Sequence, residues 1–197
     1  MRIRDERHGS HALLPCHGSV AEGWGVVSVL GKVFQRDTQE IPHGEVQAQA
    51  DSLAGNWRKE VATPREVVEA TVYRQLVGSL MYLMNTLPDL CYAVNQLSQA
   101  MVQPTKMFWK AEKHVLRYLI GTSQYGLWYR RAEGVKLKGF TDADWAGSPL
   151  DRKSTSAGIF NLGSVAVSWY SRKQRSVALS SAEAEYMVAG QAACEVI

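Results

Sequence analysis

The sequence lacks several things, and each absence removes a class of protein. It holds 3 cysteines in 197 residues, and Cys16, Cys91 and Cys194 are odd in number and far apart. A disulfide scaffold is therefore not expected, and a reducing intracellular compartment is. No apolar run approaches the length of a membrane span. The early patch Gly23–Leu30 is short, follows a charged, His-rich start and has no small-residue cleavage pattern, so neither a signal peptide nor a membrane partner is expected. Charge of one sign is also scarce: 22 basic against 19 acidic residues leave +3, compatible with a polyanionic partner without requiring one. Apolar residues are not lacking. At 46% hydrophobic and 21% charged, the chain is not disordered throughout and is long enough for one ordinary or two small domains.

Residues 1–55 sustain no period of two or 3.6 beyond a brief stretch around Val26–Val33 and are left unassigned, as a flexible segment. His8, His11, Cys16 and His17 offer nitrogen and sulfur, but their spacing fits no standard zinc pairing and no second pair follows.

From Thr71 the pattern becomes helical. Val72, Leu76, Leu80 and Leu83 form one stripe with Asn85 as the stop. Pro88 and Asp89 suit the start of a second helix, with Leu90, Val94, Leu97 and Met101 inward and Pro104 as its end. Thr105 opens a third, with Met107, Ala111, Val115, Tyr118 and Leu119 inward and Gly121 as its C-terminal cap. Short links predict antiparallel neighbours. Lys110, Lys113, His114 and Arg117 read as a solvated basic face, with nucleic-acid contact as the alternative.

After Gly126 the period shifts to two. Following L-W-Y-R and a turn at Ala132–Gly134, a strand runs from Val135 into Asp142. Asp151–Ser156 reads as a polar loop. Ala157–Leu162 and Val165–Tyr170 make a hairpin around Gly163-Ser164. Ser180 and Glu183 form a capping-box pattern that opens an alanine-rich helix running to Glu195. Glu185, two residues on, faces a different neighbour. A strand ending in an aspartate and a helix carrying a glutamate in its first turn can bring two carboxylates over one end of a sheet. That donor set suits a hard divalent cation; by pattern alone such a pair is more often a cap plus a turn.

The runs Y-R-Q-L-V-G-S-L-M-Y-L, P-D-L-C-Y-A-V-N-Q-L-S-Q, W-K-A-E-K-H-V-L-R-Y-L-I-G-T, F-T-D-A-D-W-A-G, D-R-K-S-T-S, S-W-Y-S-R-K-Q and V-A-L-S-S-A-E-A-E-Y resemble the polyprotein of copia-type retrotransposons, in its order and spacing. The likeness starts weakly at Leu53–Glu60 and runs to the C-terminus. It implies an α+β chain: a helical segment over 56–130 resembling the end of the reverse transcriptase region, then a truncated ribonuclease H-like α/β domain over 131–197, with three antiparallel strands and one helix.

The family's ribonuclease H cuts the RNA strand of an RNA–DNA hybrid with two magnesium ions. By resemblance Asp142 and Glu185 are the catalytic, metal-binding acids, and Asp144 is a turn residue. Arg172, Lys173 and Arg175 are candidate phosphate contacts, with a charge-guarded edge strand as the alternative.

Partners implied are an RNA–DNA hybrid or other nucleic acid, and a reverse transcriptase or complementing chain. The family domain carries further acids beyond the capped helix, whereas this sequence stops at Ile197. The expectation is a truncated copy with weakened magnesium binding and an open sheet edge. The alternative function is an inactive remnant that at most binds nucleic acid; a third is a helical module that docks onto a reverse transcriptase.

Overall fold

The computed structural model describes residues 2–3, 52–53, 67–122, 125–129 and 136–196. The chain is mixed α+β and divides into two compact units, Pro15–Gly126 and Met1–Leu14 with Leu127–Ile197. The sequence expectations for residues 4–51, including the histidines and Cys16, and for the turn at 132–134 lie outside the described residues.

The first unit is helical. α1 (Ala70–Leu83) buries Tyr73, Leu76, Val77 and Leu80. This stripe is turned from the expected one, because Tyr73 rather than Val72 is anchored: its hydroxyl donates to the Leu97 carbonyl at 2.7 Å. Burial, and next the charge of Glu112, push the Tyr73 phenol far above its ordinary value.

Pro88–Leu90 forms one 3-10 turn that leads into α2 (Cys91–Ser98). α2 stops six residues short of Pro104, so Met101 is not part of it. The i→i−3 bonds Gln99 N–H to Gln96 O and Ala100 N–H to Leu97 O tighten and end the helix first. The freed Met101 carbonyl takes a hydrogen bond from Arg74 Nε at 2.9 Å.

α3 (Lys106–Gly121) follows Thr105, whose side chain makes no capping bond. Gly121 is the last helical residue rather than the cap. Thr122 caps the helix, its hydroxyl donating to the Tyr118 carbonyl at 2.9 Å. Tyr73, Val77, Leu80, Leu90, Val94, Leu97 and Val115 form the heart of this unit's core. Each contributes on the order of 1.5–3 kcal/mol by burial.

The second unit holds a two-stranded sheet and a three-stranded sheet, the latter covered on one face by a helix. β1 (Arg2–Ile3) pairs in parallel with β2 (Trp128–Tyr129). β3 (Leu137–Ala143), β4 (Thr155–Leu162) and β5 (Val165–Lys173) form an antiparallel sheet in that order. The hairpin turn has Gly163 at φ 68°, which glycine adopts without strain.

The expected loop ends at Ser154, and Thr155 and Ser156 already belong to a strand. Ser154, Thr155 and Ser156 are buried, and the last two begin β4. The Ser154 and Ser156 hydroxyls accept from Ala146 N–H and the Gln174 amide, and the Thr155 N–H donates to Asp144, which is what permits polar residues there. Register and alternation place Ala143, Gly158, Phe160 and Tyr170 on one face. α4 (Ser181–Val196) covers that face with Ala184, Val188 and Ala192, spaced i, i+4, i+8. Gly158 is required beneath the Tyr170 ring, where a Cβ would lie 2.5 Å from Cε1.

Candidate functional site

The site is built around the end of β3. Asp142 is exposed and pairs in register with Ala157. Strand alternation directs it to the face away from α4, because its neighbour Ala143 packs against the cluster of Phe160, Tyr170, Val188 and Ala192. The next acid, Asp144, is spent on structure. Its backbone N–H donates to the Thr155 carbonyl at 3.1 Å, and its carboxylate accepts the Thr155 N–H in return. Gly147 follows because a Cβ there would stand 2.6 Å from Asp144 Cγ. Ala146, at φ 53°, turns the chain and donates its N–H to Ser154 Oγ at 3.1 Å.

Two further ties hold the helix to this loop. Trp145 Nε1 donates to the Ala178 carbonyl at 3.2 Å, just before α4. The buried Gln174 amide donates to Ser156 Oγ at 2.9 Å and to the Ala184 carbonyl at 3.1 Å. At the N-terminus of α4 Ser180 caps as the sequence pattern predicts, while Glu183 reaches one residue further back than the box requires. Ser180 Oγ accepts the Glu183 N–H at 3.2 Å, and Glu183 reaches back to the Leu179 N–H at 2.6 Å.

With Ala184 turned into the sheet, Glu185 falls at the border of the buried face. Its Oε1 accepts the Ala143 N–H at 3.3 Å. The structure thus holds the Glu185 carboxylate one peptide from Asp142, at the open edge of β3. Both acids are exposed, and among the described residues no group of three or more His, Cys, Asp or Glu side chains is gathered.

The basic stretch is not a single row. Arg172 lies on the α4 face, 5.5 Å from the Tyr170 ring centre and 3.6 Å from Glu195. The Tyr170 phenol is pushed up by burial and next by Glu195, while Arg172 opposes the shift. Lys173, on the other face, meets Asp151 at 2.9 Å. Arg175 is exposed beyond the strand. The structure therefore spreads these three cations over both faces of the sheet end. Gln174 and Ser154 were missed as site-building residues. Only the short D-x-x-G spacing of Asp144 and Gly147 hinted at this local framework.

No family model matches the chain, and no solved structure does. Among curated proteins, the retrovirus-related Pol polyprotein from transposon RE2 of Arabidopsis thaliana is 50% identical over 118 residues, 60% of this chain. That from transposon RE1 of the same plant is 46% identical over 121 residues, 61% of this chain. The chain belongs to the copia-type retrotransposon Pol family. The resemblance carried by F-T-D-A-D-W-A-G and its companion motifs is thereby borne out. The Pol-family chain spans about 8% of the length of each of these two polyproteins. It is also 51% identical over 126 residues to secreted RxLR effector protein 161 of Plasmopara viticola, covering 89% of that protein and 64% of this chain. No helix of the described residues is long and apolar enough to cross a membrane.

Proposed function

We propose that this Pol-family chain carries a ribonuclease H-like module over 131–197, after a helical segment over 56–130 corresponding to the end of a reverse transcriptase region. Its ligand is an RNA–DNA hybrid, and Asp142 and Glu185 are the acids directed at the RNA strand. The observation that supports this reading best is the Glu185 contact with the Ala143 N–H, which sets the helix carboxylate at the edge of the strand end that carries Asp142.

With no third ligand gathered among the described residues, Glu185 at the strand edge and Asp142 on the open face would each offer an oxygen to one magnesium ion that completes its shell with water and a substrate phosphate. They do not suit two ions. When bound, such an ion would offset charge at the scissile phosphate and acidify a bound water. The chain's own contribution is positioning. Trp145, Gln174 and the Ala143 N–H fix Glu185, while Asp144 and Gly147 hold the strand end that presents Asp142.

The test is cleavage of a labelled RNA–DNA hybrid by the purified chain with magnesium. The expected result is cutting of the RNA strand that is lost in Asp142→Asn and in Glu185→Gln. Cutting that persists in both variants overturns the assignment. That no third metal-ligating side chain is gathered with them among the described residues favours a second reading, a remnant that binds nucleic acid without hydrolysis. No cutting, with hybrid affinity that falls as salt rises, selects that second reading.

A further inference from the structure

The charges on α3 are sorted by face. Lys110, Lys113 and Arg117 recur at i, i+3 and i+7, within an arc of about 60° at 3.6 residues per turn. Ala111, Glu112, Val115, Leu116 and Tyr118 are buried on the other side. Glu112 is the helix's one acid and is fully buried, so the outward face of α3 carries cations and no acid. Lys110 is exposed, while Lys113 and Arg117 are half-buried. Lys113 Nζ sits 5.6 Å from the centre of the Trp109 ring, a cation–π contact that favours this place for the ammonium. Arg117 Nε has no acceptor among the described residues. Lys106 and His114 border the row and have partners of their own.

Such a row is unsuited to burial against neutral or apolar protein. Stripping water from an unpaired cation costs several kcal/mol, and here three cations share one narrow stripe. Whatever packs on this stripe, in this chain or in a longer polyprotein, has to bring negative charge. That requirement comes from the charges themselves and holds whether or not further chain lies nearby.

We propose that the outward face of α3 binds a nucleic-acid backbone, with Lys110, Lys113 and Arg117 as its phosphate contacts. Lys110 and Arg117 stand about 10.5 Å apart along the axis at 1.5 Å per residue. That span matches about three phosphate steps at the 3.4 Å axial spacing of one strand. A phosphate backbone supplies a charge at every step whatever its sequence, whereas an acidic protein segment would have to repeat its carboxylates at the same spacing. The contact positions the nucleic acid and reads no bases. It lies in the helical unit, apart from Asp142 and Glu185, and does not rest on the ribonuclease H reading.

The test is fluorescence anisotropy of a short labelled DNA duplex, which no ribonuclease step consumes, titrated with the full chain over a range of salt. Each phosphate contact contributes about 0.9 to the fall of log K with log salt. Lys110→Gln, Lys113→Gln and Arg117→Gln should each reduce that slope by about 0.9, and the triple variant by about 2.7. All four should keep the native far-UV circular dichroism spectrum. Val102, 89% exposed, lies outside the row. Lys110→Gln combined with Val102→Lys therefore keeps the net charge but not the row, and should bind as weakly as Lys110→Gln alone. A slope unchanged in the folded triple variant overturns the proposal. So does full recovery by Val102→Lys, which would leave only net charge at work. Polyglutamate that displaces the labelled duplex as well as unlabelled duplex does, at equal charge, also overturns it, in favour of an acidic protein.

Discussion

Gly147→Ala offers a close test of how the strand end is held. A methyl group at 147 would lie 2.6 Å from Asp144 Cγ and 3.0 Å from its Oδ1. The carboxylate must swing away and release the Thr155 N–H, which belongs to a residue only 7% exposed. A buried donor that loses a charged acceptor costs about 1.5–3 kcal/mol. Asp144→Ala removes the same acceptor and should cost a similar amount. In that background the new methyl meets no carboxylate. Gly147 is not at positive φ, so an alanine there should be neutral or should stabilise by about 0.4–1 kcal/mol through the unfolded chain. The double variant should therefore cost about 2 kcal/mol rather than about 4, a coupling of about 2 kcal/mol between neighbours acting through one bond. Urea unfolding followed by tryptophan fluorescence measures all four chains. Costs that simply add would refute the shared-bond account.

Gly158→Ala should destabilise by about 1–3 kcal/mol, because its Cβ would meet the Tyr170 ring and the core has no room to yield; Tyr170→Leu in the same chain should recover part of that loss in the same unfolding assay. Gln174→Leu leaves the Ser156 hydroxyl and the Ala184 carbonyl without their buried donor, and should cost about 1–3 kcal/mol; amide exchange should report loosening first at the start of α4. Asp151 is held at about 2 by its hydrogen bond to Ser148 and next by Lys173. Because its folded value is depressed, its contribution to stability is present above the unfolded value and is lost as pH falls from about 4 toward 2. Acid unfolding profiles should show this component shrink in Lys173→Ala and in high salt.

The elements that the sequence made legible are those whose period is local. The β4–β5 hairpin follows from alternation on either side of Gly163, and α4 follows from Ser180 and Glu183 three residues apart. Helix ends were less legible. The stripe through Met101 keeps its helical spacing, but hydrogen bonds tighten three residues after Leu97 and release that segment to Arg74, a partner 27 positions away. Thr155 and Ser156, which begin β4, read as the end of a loop with Ser154 for a related reason. Three hydroxyl residues look solvated until Gln174 arrives from the far end of β5 to satisfy one of them. Glu112, fully buried on α3, gave no local sign, since its place is set by how the helix packs rather than by its neighbours in sequence.

The two aspartates of F-T-D-A-D-W-A-G show where pattern stops and register begins. Spaced by two, they would share a strand face, and nothing in their chemistry distinguishes them. The strand, however, ends at Ala143. Asp144 therefore leaves the alternation and folds back onto Thr155, while Asp142 keeps its place on the open face. Glu185 reaches the same edge because Ala184, its neighbour, is the residue buried against the sheet. Its position therefore depends on the small cluster of Phe160, Tyr170, Val188 and Ala192. With so small a core, a loss of even about 2 kcal/mol is a large share of a marginal stability. Substitutions at Gln174 or Gly158 should thus displace Glu185 from Ala143 without touching either acid.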